Sequence, residues 1–175
     1  MVRMSVPETV APQQRPLLRA PVNQVSSRAR LYWTVRALPL WLVVAAIEAV
    51  VLLTAGESAG VATLVIAVTA VVVIAHLVVM PQWRYRVHRW EITAMAVYTQ
   101  AGWIRQERRI APIARIQTVD TTRGPFEQLF RLSNVTVTTA SARGPLVIDA
   151  LDRAVAEQTV ATLTERAQLD GGDGT

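Results

Sequence analysis

Two apolar stretches, Ala37 to Ala55 and Ala59 to Met80, stand out from a chain that otherwise mixes apolar and polar residues every few positions. Each is about 20 residues long, and at ~1.5 Å per residue a helix of that length spans a ~30 Å hydrocarbon layer. The first holds ten Leu, Ile or Val residues and the second twelve. At ~0.3 to 0.6 kcal/mol apiece the first run gains roughly 3 to 6 kcal/mol on insertion, opposed by ~2.5 to 3.5 kcal/mol if Glu48 costs what a central Asp does. The second run carries no formal charge and inserts unaided. Only Gly56-Glu57-Ser58 separates the two, so the pattern predicts a transmembrane hairpin with spans 37–55 and 59–80. A buried hairpin of a soluble protein would have shorter runs. A cleaved signal peptide would start earlier, with a shorter apolar core and a small-residue cleavage site before the second run.

Beyond Pro81 the period shortens, and short segments punctuated by turn residues predict a small, mostly β domain over residues 84–168. Val87 to Thr93 alternates as a strand. Val97 to Gln100 and Trp103 to Ile110 flank Ala101-Gly102 as a hairpin, whose second arm carries charges on both faces and therefore reads as an edge. Pro112 breaks the pattern, and a helical turn is expected before a strand through Gln117 to Thr121. Gly124-Pro125 starts a short helix to Leu132, with Phe126, Leu129 and Phe130 on one side, Gly124 structural and Phe130 as the plug of the fold. Strands follow at Val135 to Thr139 and Leu146 to Ile148. Asp152 is placed to cap a last helix to about Gln168, with Ala156, Val160, Leu163 and Ala167 as its buried stripe. Residues 169–175 read as a tail.

The segment before the hairpin lacks either period, and residues 1–27 are expected to be a disordered arm. Ser26-Ser27 offers a cap for residues 28–36, a basic and aromatic segment running on into the first span. All 18 basic residues are Arg, and the net charge of +5 is accounted for by residues 1–36, which carry six Arg and one acid. Arg28, Arg30 and Arg36 precede the hairpin and Arg84, Arg86 and Arg89 follow it, so both termini are expected in the cytoplasm. On the flanks, Arg28, Arg30, Tyr32, Trp33, Arg36, Trp83, Arg84 and Arg86 are expected to touch anionic headgroups, each Arg contributing about 1 kcal/mol. A chain without cysteine forms no disulfide and has no thiolate metal site. The domain itself is near charge balance, which argues against nucleic acid as partner.

The run from Ile110 to Ala140, with Arg115-Ile116-Gln117 and Gly124-Pro125-Phe126 inside it, resembles the core signature of the bacterial membrane-flanked PH-like domain family, the YdbS-like proteins. Tyr85-Arg86, Gly102, Gly144 and Leu151-Asp152 stand where that family would have them, and the likeness covers residues 28 to 168. It implies a membrane-anchored α+β protein: a two-helix transmembrane hairpin, then a PH-like β-barrel or sheet capped by a C-terminal helix. It implies no reaction. Pleckstrin-homology domains that bind phosphoinositides use basic residues at the turn between their first two strands. Here that turn is Thr93-Ala94-Met95-Ala96, so no phosphate clamp carries over. Six strands are countable where a full barrel has seven, leaving an edge free to pair.

Glu48 and His76 are the intramembrane groups that invite a mechanism, but along the hairpin they sit ~15 Å apart in depth. Glu48 falls nearer Ile66 and Thr69, which suits a contact with Thr69 or with a neighbouring chain. His76 is within a turn of the interface. With no convergent constellation, no cofactor and no metal set is expected. The expected function is a non-enzymatic cell-membrane protein that presents its cytoplasmic domain as a protein-interaction or assembly module. Arg105, Arg108 and Arg109 are the candidate partner surface, Glu48 the intramembrane contact, and a membrane protein or a second copy the partner. A lipid-headgroup module is the alternative, and a transporter or enzyme subunit using Glu48 or His76 a more distant one.

Overall fold

Ser26 opens the first helix: its Oγ accepts from the Arg28 N–H at 3.2 Å and its carbonyl from the Ala29 N–H at 3.0 Å, a side-chain cap of the usual kind. From there α1 runs Ala29–Thr54 and α2 Ala59–Val87. The computed structural model describes residues 19–54, 59–141 and 143–172; the Gly56-Glu57-Ser58 turn lies outside them. Both helices are long and apolar enough to cross a membrane, and almost nothing in the protein covers their apolar stretches. Leu53 is 86% exposed and Val71 68%, a surface that suits lipid and that a soluble core hairpin would bury. Against expectation, α2 does not end at Met80. It passes through Pro81 and continues to Val87, because Pro81 is fully buried and the following turns pack on the domain, which outweighs the missing N–H.

The domain is two antiparallel sheets under one helix. The first sheet has the order β1-β2-β3-β4, from Asn23–Gln24, Arg89–Ile92, Ala96–Gly102 and Gln106–Pro112. The second is β5-β6-β7, from Ile116–Thr122, Leu132–Thr139 and Leu146–Asp152. A 3-10 turn at Ile113–Arg115 carries the chain from one sheet to the other, the helical turn expected there. β4 is an edge, as its two-faced charges predicted. The sheets do not close into a barrel. The missing strand exists, but it comes from the far side of the hairpin: β1 pairs Asn23 with Trp90 and Gln24 with Arg89. This corrects the expectation of disorder for the end of the arm.

The β3–β4 turn is also displaced. Gly102 pairs with Gln106, so the turn is Trp103-Ile104-Arg105 and not Ala101-Gly102. Gly102 has φ of 115°, and a Cβ there would lie 1.9 Å from the Arg105 carbonyl oxygen, so only glycine fits. A five-residue helix, α3, covers Pro125–Leu129, and α4, Arg153–Gly172, lies over the second sheet. Ala156 and Leu163 of α4 join Val97, Val135, Val137, Leu146, Ile148 and Leu151 in the main core, with Val160 packed beside them. Asp152 precedes α4, but its carboxylate accepts from Ser26 Oγ at 2.9 Å and Arg28 Nη1 at 3.3 Å. It ties the N-terminal arm to the domain.

Candidate membrane and partner interface

A second core lies where the hairpin meets the domain, and residues from both sides of the hairpin build it. Val25, Ala29, Tyr32 and Trp33 from the arm and α1, and Met80 from α2, pack with Leu132 and Ala150 of the second sheet. Tyr32 is 4% exposed and Trp33 3%. The expectation that these two rings sit among lipid headgroups is therefore corrected: an amphipathic ring satisfies a protein junction as well as an interface. The Trp33 ring takes the Arg84 guanidinium on its face at 4.5 Å and the His88 ring at 5.1 Å. Arg36 Nη1 donates to Tyr32 Oη at 2.7 Å, and the Tyr32 hydroxyl donates to Glu127 Oε1 at 2.8 Å. Burial pushes the Glu127 carboxyl up, but bonds from Tyr32, its own backbone N–H and Asn134, with Arg36 nearby, outweigh that and hold it below the usual carboxylate range. Gly124 leaves room for this carboxylate, since a Cβ there would stand 2.7 Å from Glu127 Oε2. Phe130 is not the plug it was expected to be. It is half-buried and meets Tyr32 edge-on at 6.2 Å.

The other flanking arginines are also engaged. Arg28 pairs with Asp152 at 3.3 Å, and Arg30 lies over the Tyr85 ring at 4.9 Å while reaching Gln82 Oε1 at 3.4 Å. Trp83 Nε1 donates to the Trp103 carbonyl at 2.7 Å. Arg86 stays exposed. Deeper, Trp41 Nε1 donates to His76 Nδ1 at 2.9 Å. His76 is thus satisfied by Trp41 of the facing helix. Glu48 lines a groove between α1 and α2 that Ile66 and Thr69 also line. Among the described residues no three His, Cys, Asp or Glu side chains gather to hold a metal ion.

His88 follows α2 directly, is buried, and sets its Nδ1 2.8 Å from the Arg84 carbonyl. Burial lowers its pKa; the bond to the Arg84 carbonyl opposes this and the Arg84 charge reinforces it. A histidine whose folded pKa lies below the unfolded one keeps its stabilisation above the unfolded value of about 6.5 and loses it as pH falls below that. Detergent-solubilised protein should therefore melt at lower temperature at pH 5.5 than at pH 7.5, and His88→Gln should flatten this dependence. An unchanged slope in that variant would remove His88 as its source.

A profile described as Bacterial PH domain matches residues 35–167. The chain belongs to that family. Over 63 residues it is 33% identical to the UPF0699 transmembrane protein YdbS of Bacillus subtilis (strain 168), a stretch covering 36% of this chain and 40% of that protein. The chain thus matches less than half the length of that relative. No solved structure matches. The family and the two exposed apolar helices make this a membrane protein with a PH-like domain.

In this bacterial PH domain the arginines singled out on β4 do not form a free rim. Arg109 donates to the carbonyls of Arg143 and Gly144, both at 2.8 Å, and to that of Pro145, clasping the β6–β7 turn. Arg108 donates to Gln100 Oε1 at 3.1 Å. Arg105 sits in the β3–β4 turn and is exposed, and Arg108 stays exposed on β4 beside its bond to Gln100. An open cleft elsewhere gathers Arg28, Arg123, Arg131 and Arg153 around Asp152 and Glu157. Arg28 is paired with Asp152 and Arg153 with Glu157. This cleft escapes sequence reading because its residues come from β7, α4 and three separate connecting segments.

Proposed function

We propose that this protein crosses the membrane twice, keeps both flanks in the cytoplasm, and presents its PH-like domain as a non-enzymatic interaction or assembly module. The shared second core carries the reading. Val25, Ala29, Tyr32 and Trp33 before the spans pack with Leu132 and Ala150 after them, which is possible only if both flanks lie on one face of the bilayer. The arginine bias selects the cytoplasmic face. The partner is a membrane protein or a second copy of this chain. With Arg109 bonded to the β6–β7 turn and Arg108 to Gln100, the surface best suited to it is the outer edges of β4 and β5, which among the described residues pair with no further strand. Glu48 and His76 lie on different levels of the hairpin, and among the described residues no set of groups converges on a reacting atom.

Crosslinking followed by co-purification from native membrane tests the module: a stoichiometric protein partner or a homo-oligomer is expected. Cysteine accessibility tests the topology, since the chain has no native cysteine. A cysteine at Ser58 should react with an impermeant reagent in intact cells and one at Ser141 should not; the reverse pattern would overturn the assignment. A second reading, an anionic headgroup held in the arginine cleft, is favoured by Arg123 and Arg131, which line it without an ion pair among the described residues. Co-purified anionic lipid that is lost from an Arg123→Gln, Arg131→Gln double variant would put that reading first.

A further inference from the structure

The β3–β4 turn stands apart from the rest of the domain surface. It presents Trp103 and Ile104, and Ile104 is 81% exposed. It is also held against the hairpin. The Trp103 carbonyl accepts from Trp83 Nε1 at 2.7 Å, and the Trp103 ring lies 6.1 Å from the ring of His76. His76 precedes the end of α2 by eleven residues, or ~16 Å of helix. It sits inside the second apolar stretch, bonded to Trp41 of the first span. The turn therefore hangs beside α2 at the depth where the apolar stretch begins.

We infer that Trp103-Ile104-Arg105 is a third membrane contact, a wedge that enters the interfacial layer of the bilayer next to α2. Its occupant is lipid, because the turn continues the lipid-facing surface of the helix on which it rests. The chemistry of its three residues suits that layer. An indole favours the headgroup boundary, an isoleucine the upper acyl chains, and an arginine can turn its guanidinium back to the phosphates. The turn is preshaped for the purpose: Gly102 in a conformation only glycine adopts closes it, and the Trp83 bond fixes its height. The inference rests on α1 and α2 crossing the bilayer. With two spans and a wedge as its fixed points, the domain is held at one tilt over the membrane and does not swivel about the hairpin.

Nitroxide labels on single-cysteine variants of the full chain, in vesicles of phosphatidylcholine and phosphatidylglycerol, test this directly. Three sites are needed: Ile104→Cys in the turn, Val71→Cys in the span, and Met95→Cys at the far end of β3. Met95 is as exposed as Ile104, at 81%, but lies a seven-residue strand away, ~23 Å. Labels at 104 and 71 should collide with oxygen several-fold more than with a water-soluble nickel chelate, and the label at 95 should show the opposite preference. If 104 behaves like 95 while 71 reports lipid, the turn is in water and the inference fails. Shielding of 104 from both reagents would mean that protein covers the turn, which also overturns it. A label at 71 that reports water would refute the spans themselves.

Discussion

Replacing Trp33 by alanine should destabilise the full-length protein by about 3 to 5 kcal/mol, the usual cost of emptying a buried aromatic site. The indole is almost wholly enclosed, with Arg84 on its face and His88 beside it. Its loss opens the second core and leaves the Arg84 guanidinium without its ring. Thermal or denaturant unfolding in detergent measures the effect. The same change at Trp83, which is about half exposed at 47%, should cost far less. Equal, small losses at both positions would return Trp33 to the lipid interface and dissolve the second core.

Residues 84–168 expressed alone should fail to fold. The excised segment keeps Leu132 and Ala150 but loses Val25, Ala29, Tyr32, Trp33 and Met80 from around them. It also loses β1, which covers the edge of β2. Two buried aromatics alone are worth ~3 to 5 kcal/mol each, against a total stability of ~5 to 15 kcal/mol for a typical domain. A dispersed amide spectrum or a sharp cooperative melt from the excised segment would contradict this. The detergent-solubilised full chain should give both.

The sequence exposes the spans most clearly, since runs of some 20 apolar residues have few alternatives; Val135 and Val137 of β6 and Ala156 and Leu163 of the α4 stripe read directly into buried positions, while Val160 and Ala167 are half-buried. The misses share a cause. β1 is two polar residues with no alternation to mark them, and its pairing partner lies on the other side of two spans. Tyr32 and Trp33 carry the same signature whether an indole or phenol meets a headgroup or a protein junction, so only the packing decides. Trp103 and Ile104 are good strand formers, and reading them as strand moved the turn and hid an exposed apolar tip. Pro81 marks a helix end in an isolated pattern, but here tertiary contacts carry α2 past it. Arg109 looked like a free charge because its partners are backbone carbonyls, which no sequence advertises.

The second core has a consequence for biogenesis. A ribosome delivers residues 19–36 to the membrane before their packing partners exist, and Leu132 and Ala150 follow only after both spans have been made. The domain thus cannot complete itself until the insertion machinery has returned the chain to the side where it began. A molecule that crossed only once would leave Trp33 and Leu132 in different compartments, with an unfinished, protease-sensitive domain on one side. A folded domain with its second core complete is therefore compatible only with a chain that has made both crossings.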